Sequence, residues 1–193
     1  MKRVCVFTGS SPGARSGYAA AAQLLGRELV AGGHELVYGG GKVGLMGQLA
    51  DSVIASGGRV IGVIPEALVA KEVAHRGLSE LRVVASMHER KALMSELSDA
   101  FIAMPGGLGT LEEFFEVLTW AQLGLHAKPC GILNAERYFD LLLAFLDRAV
   151  AERFVKPEHR GMILTADSPR DLLDRLASYR PTPVQKWIDR ASS

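Results

Sequence analysis

Cysteine is nearly absent from these 193 residues: only Cys5 and Cys130 occur. Each lies inside a short apolar run, so a disulfide framework is excluded and the two read as buried thiols of a reducing compartment. An excess of one charge sign is missing too. Twenty-two Lys and Arg against 21 Asp and Glu leave a formal net charge of +1, which gives no electrostatic footprint for nucleic acid or an anionic membrane. No apolar run approaches the length of a membrane-spanning helix. The opening run Val4-Cys5-Val6-Phe7 is too short for a signal-peptide core, and a cytoplasmic protein is expected. His34, His75, His88, His126 and His159 are scattered without metal-ligand spacing, so no metal is expected. No nucleophile-elbow serine occurs, and no cofactor is expected.

What remains is an ordinary globular composition, 48% apolar and 22% charged, long enough for one domain with a sizeable core. Strand-like and helix-like segments alternate. Strands are expected at Val4 to Phe7, His34 to Tyr38, Val60 to Ile64, Leu81 to Ala85, Asp99 to Met104, Lys128 to Leu133 and Met162 to Leu164. Helices are expected over about 18–31, 45–55, 87–97, 112–123, 138–153 and 169–177, with an irregular surface loop or short helix from Ala67 to Glu80. This alternation predicts an α/β, Rossmann-like, doubly wound parallel sheet with helices on both faces. Residues 1–180 are expected to form that single nucleotide-binding domain. Residues 181–193, opened by Pro181-Thr182-Pro183, are expected to form a tail.

The stretch that organises the rest is Pro105-Gly106-Gly107-Leu108-Gly109-Thr110-Leu111-Glu112-Glu113. Glycines between a strand and a helix let backbone N–H groups approach a ligand, because no Cβ stands in the way. The first N–H groups of a helix lack intrahelical partners, and the macrodipole adds positive charge there; together they make a phosphate site. Gly107, Gly109 and Thr110 carry this expectation, with Ser10 and Gly41 as further candidates on neighbouring loops. The Gly-Lys-Ser/Thr ending of an NTP-binding P-loop is missing. A plainer alternative is a capping box in which Thr110 and Glu113 merely start the helix well. Gly39, Gly41 and Gly44 also satisfy the G-x-G-x-x-G spacing. The acidic residue of a dinucleotide site would then be Glu66, a loose fit, and no nicotinamide cofactor is expected.

The same nine residues match the PGGxGTxxE signature, and the chain resembles the LOG (Lonely Guy) family from about Val4 to about Leu146. Members of that family are cytokinin riboside 5′-monophosphate phosphoribohydrolases, many of them carrying the inherited label "lysine decarboxylase". The resemblance implies hydrolysis of the N-glycosidic bond of a nucleoside 5′-monophosphate, AMP included, to free base and ribose 5-phosphate. It implies no cofactor. The decarboxylase label would need a pyridoxal phosphate lysine, for which the sequence offers no support.

The transition state of such a cleavage resembles an oxocarbenium ion, which a nearby carboxylate can stabilise, or for which it can activate water. Glu113, one helical turn past the phosphate loop, is the candidate carboxylate. Glu112 belongs to the matched signature, as do Gly106 and Leu108, but it faces about 100° away from Glu113. Met87-His88-Glu89-Arg90-Lys91 resembles the family's Arg-Lys segment. Arg90 then either neutralises phosphate or helps the base depart, and Lys91 adds a second cation. By the same resemblance Glu72 and Thr119 correspond to substrate-contacting positions. The helix holding Leu111, Phe114, Phe115, Val117, Leu118, Trp120, Ala121 and Leu123 is apolar nearly all round, which calls for cover on two sides. A homodimer with shared active sites, as the family has, would provide it. The alternative to an enzyme is a non-catalytic nucleotide-binding sensor or carrier.

Overall fold

The computed structural model describes residues 1–69 and 74–181. Its strands are β1 (Arg3–Phe7), β2 (Glu35–Tyr38), β3 (Val60–Pro65), β4 (Glu80–Val84), β5 (Ala100–Ala103), β6 (Cys130–Leu133) and β7 (Ile163–Ala166). All pairings between these strands are parallel, and the order across the sheet is β4-β3-β2-β1-β5-β6-β7. The helices are α1 (Ser16–Ala31), α2 (Gly44–Ala55), α3 (Glu66–Val69), α4 (Met87–Leu97), α5 (Leu108–Gln122), α6 (Asp140–Ala151), α7 (Pro157–Arg160) and α8 (Pro169–Ser178). The expected doubly wound sheet is present.

Strand alternation sorts the core into two layers. Val4, Val6, Leu36 and Tyr38 pack with Leu25 and Leu29 of α1, Leu49 and Val53 of α2, and Leu172 and Leu176 of α8. Cys5, Phe7, Val37 and Phe101 point the other way, to Met94 of α4, Phe114 and Val117 of α5 and Leu146 of α6. Both cysteines are buried free thiols. Burial pushes Cys130 up to about 12 and raises Cys5, so both are poor nucleophiles.

Strand order reverses between β1 and β5, and open α/β sheets bind ligands at the carboxyl ends of strands beside such a reversal. The register Val4↔Ala100 through Phe7↔Ala103 brings the loops after both strands to that point. The Met104 N–H donates to the Phe7 carbonyl at 2.9 Å, and the Gly9 N–H to the Pro105 carbonyl at 3.1 Å. The two loops are therefore laced together as they leave the sheet.

One boundary is shifted for a local reason. The helix expected over about 138–153 is α6, which starts at Asp140 after a 3-10 turn at Ala135–Arg137. Asn134 causes the break: its Oδ1 accepts from the Phe139 N–H and its Nδ2 donates to Asp140, each at 2.8 Å. After β3, where a surface loop or short helix is expected, the one-turn helix α3 is found.

Candidate active site

The helix α5 starts four residues before the expected Glu112. Gly107 is its N-cap, in extended conformation, and Leu108, Gly109 and Thr110 form its first turn. A Thr110–Glu113 capping box therefore has no place here, since Thr110 already lies inside the helix. The early start leaves the N–H groups of the glycine-rich segment as the unpaired first turn of a helix, the arrangement that binds anions. Thr110 is buried, its hydroxyl pressed against Gly106 where a Cβ would collide with it. Thr8, also buried, donates its hydroxyl to the Pro105 carbonyl at 3.0 Å. By contrast, a Cβ on Gly107 or Gly109 would meet no protein atom within 4 Å. The fold alone does not require glycine at these two positions, whereas close approach of a ligand to the backbone does.

Arg90 reaches the same point from α4. Ser86 caps this helix by accepting from the Glu89 N–H at 3.1 Å, and the Glu89 carboxylate accepts from the Ala85 N–H at 2.8 Å. This Ser-x-x-Glu cap fixes the turn from which Arg90 projects. The Arg90 side chain is 7% exposed and that of Glu113 13%, with Nη1 3.6 Å from Glu113 Oε1. The guanidinium also donates from Nε to the Val63 carbonyl at 3.1 Å and from Nη2 to the Gly39 carbonyl at 3.2 Å. A Cβ on Gly39 would strike that Nη2. Gly39 thus serves the arginine, which in turn holds Glu113. A cavity of about 250 Å³ is lined by Arg90 and Glu113 together with Thr8, Ser10, Met46 and the Gly107–Thr110 turn. The loop after β1, Thr8 to Ser10, and the N-terminus of α5 thus converge on one small concave space together with Arg90 and Glu113.

The other expected site residues lie elsewhere. Lys91 donates to Glu112 at 2.6 Å and to Glu116 at 3.0 Å, forming an ion cluster beside the cavity. The hydrogen bond to Glu112 raises the Lys91 pKa. Leu108 is 86% exposed and lines the edge of the cavity. Thr119 is exposed and bonds back to the Phe115 carbonyl at 2.7 Å. Gly41 is buried and accepts from the Tyr38 hydroxyl at 3.1 Å. The α2 N-terminus that follows Gly41 is occupied, because the Leu45 and Met46 N–H groups both donate to the Gly9 carbonyl. The G-x-G-x-x-G segment therefore packs one loop on another. Glu72 lies outside the described residues. Thr8, Gly39 and Met46 were not among the expected site residues. Thr8 was open to recognition as a hydroxyl at the end of β1 and Gly39 as the first glycine of the G-x-G-x-x-G segment, but Met46 gave no signal without the strand order.

The family model described as "Possible lysine decarboxylase" matches residues 46–176. A probable cytokinin riboside 5′-monophosphate phosphoribohydrolase of Oryza sativa subsp. japonica, LOGL9, is 56% identical over 180 residues, which is 93% of this chain and 79% of the relative. The cytokinin riboside 5′-monophosphate phosphoribohydrolase LOG1 of Arabidopsis thaliana is 52% identical over 180 residues, 93% of this chain and 84% of that one. Among solved structures, the molybdenum cofactor binding protein of Rippkaea orientalis aligns with a TM-score of 0.68 at 23% identity, covering 92% of this chain and 97% of that one. At that identity only the fold is shared. Decarboxylation of an amino acid with pyridoxal phosphate needs a lysine able to shed its proton and form a Schiff base. Among the described residues no lysine lines the cavity, and Lys91 beside it is held charged, so the residues present do not fit that group. The match over most of the sequence, with relatives above half identity, places the chain in the LOG family.

Proposed function

We propose that this protein hydrolyses the N-glycosidic bond of cytokinin riboside 5′-monophosphates, with AMP as a further substrate. The names of its relatives support the reaction, and the observation that carries it in this chain is the approach of Arg90 to Glu113 at 3.6 Å beside a helix N-terminus where Gly107 and Gly109 leave the backbone open. The 5′-phosphate takes the N–H groups of the Gly107–Thr110 turn. The ribose then lies over Glu113, one turn deeper. The bond from C1′ to the base nitrogen breaks, water supplies the oxygen that joins C1′, and its proton is carried to the departing base. Glu113 faces the cationic sugar or takes the proton of the attacking water. Arg90, with two of its N–H groups on carbonyls, sets the direction of that carboxylate. A phosphate anchor makes the nucleotide the substrate in preference to the nucleoside. AMP should release adenine, and adenosine at the same concentration should release at least tenfold less, as read by chromatography. Equal rates would remove the phosphate from the account.

The homodimer belongs to the same proposal. Leu111, Phe115, Leu118 and Trp120 of α5 are only partly buried. Leu141 and Phe145, one turn apart on α6, are 86% and 65% exposed. Apolar area of this kind supports a second copy as the missing cover. Light scattering should return twice the 20.7 kDa chain mass; a single-chain mass at micromolar concentration would contradict it. The two buried thiols support a cytoplasmic setting.

A further inference from the structure

Resting on the phosphate reading above, we propose that Tyr138 is a positioning residue that aims the phosphate loop through the Gly106 carbonyl. Its hydroxyl donates to that carbonyl at 2.7 Å. A trans peptide is planar, with its C=O and the following N–H pointing in opposite directions. Fixing the Gly106 oxygen on one side therefore fixes the direction of the Gly107 N–H on the other, at the N-cap of α5. Pro105, the preceding residue, is already held by Thr8 and Gly9. Tyr138 supplies the remaining anchor from the opposite flank.

The backbone leading to Tyr138 supports a dedicated role. Glu136 and Arg137 are consecutive non-glycine residues in the left-handed region, at φ 54° and 59°. Such conformations are costly and persist only where surrounding contacts impose them. Here those contacts are explicit. Arg137 donates to Asp140 at 2.7 Å, and Asp140 is also held by Asn134. Glu136 pairs with Arg15 at 3.8 Å and lies on Gly17, where a Cβ would collide with its carboxylate. The strained turn delivers the Tyr138 ring edge-on to Tyr18, with centroids 5.7 Å apart, and to Phe139 at 4.9 Å. Tyr138 and Tyr18 then wall a second cavity of about 290 Å³ that shares Gly9, Ser10 and Gly107 with the first.

The test is Tyr138→Phe, which keeps the ring and removes only the hydroxyl. KM for AMP should rise about tenfold, as should the inhibition constant of inorganic phosphate, with kcat within twofold and the melting temperature unchanged. A merely structural role would not separate KM from kcat in this way. Unchanged KM and phosphate inhibition would overturn the inference, as would a fall in kcat at constant KM. If the wild-type protein releases no base from AMP, the functional reading fails, and the inference falls with it.

Discussion

Glu113→Gln should leave nucleotide binding within a few-fold of wild type and lower kcat by about 10²–10⁴-fold, the range general acid–base groups contribute. Glutamine keeps the shape of the carboxylate and removes its charge. In the proposed site the phosphate anchor is Thr110 with backbone N–H groups, so affinity should survive. What is lost is the group that answers the positive charge on the sugar. Removing one member of a buried ion pair commonly costs about 3–5 kcal/mol because the partner is left uncompensated. Arg90 retains the Val63 and Gly39 carbonyls, and the stability loss should fall below that range. A melting curve beside the kinetics separates the two effects. Turnover near the wild-type rate would show that another group serves the sugar.

Gly109→Ala should uncouple stability from activity. Gly109 is in the first turn of α5, where alanine is the better helix former by about 1 kcal/mol, and a Cβ there meets no protein atom within 4 Å. The folded protein should therefore be at least as stable as wild type. Helical Cβ bonds tilt toward the N-terminus, so the added methyl enters the space assigned to the phosphate in the proposed function. A misplacement of about 1 Å at a reacting centre can cost about 10²-fold, and kcat/KM for AMP should fall by at least that much. Denaturant melts and steady-state kinetics on one preparation give both numbers. Unchanged kcat/KM would mean that the anion does not approach this turn.

The sequence made some of this site legible and concealed the rest for physical reasons. Glycines and hydroxyls after β1 and β5 announce a crowded strand end, and strand–helix alternation makes those ends coincide. The family resemblance of two separate segments put Arg90 and Glu113 in one site, but their contact depends on which strands are neighbours, which alternation leaves open. Lys91 was expected as a phosphate cation because its charge is visible in sequence; its two carboxylate partners, Glu112 and Glu116, become neighbours only when α4 lies along α5. Glycine counts against helix locally, which hid the start of α5 at Leu108. Nothing in Ala135-Glu136-Arg137-Tyr138 announces left-handed backbone, since neither Glu136 nor Arg137 is a residue that favours it. Tyr138 therefore had no signal short of the folded turn.

The central claim is the bond that breaks, and the products identify it most directly. Purified protein would be incubated with isopentenyladenosine 5′-monophosphate, with no added cofactor, and both fragments quantified by mass spectrometry. Free isopentenyladenine and ribose 5-phosphate in equal amounts, without nucleoside or inorganic phosphate, is the predicted result. Nucleotide that binds and is recovered intact would make the protein a carrier or sensor, and nucleoside plus inorganic phosphate would make it a phosphatase; either result contradicts the account.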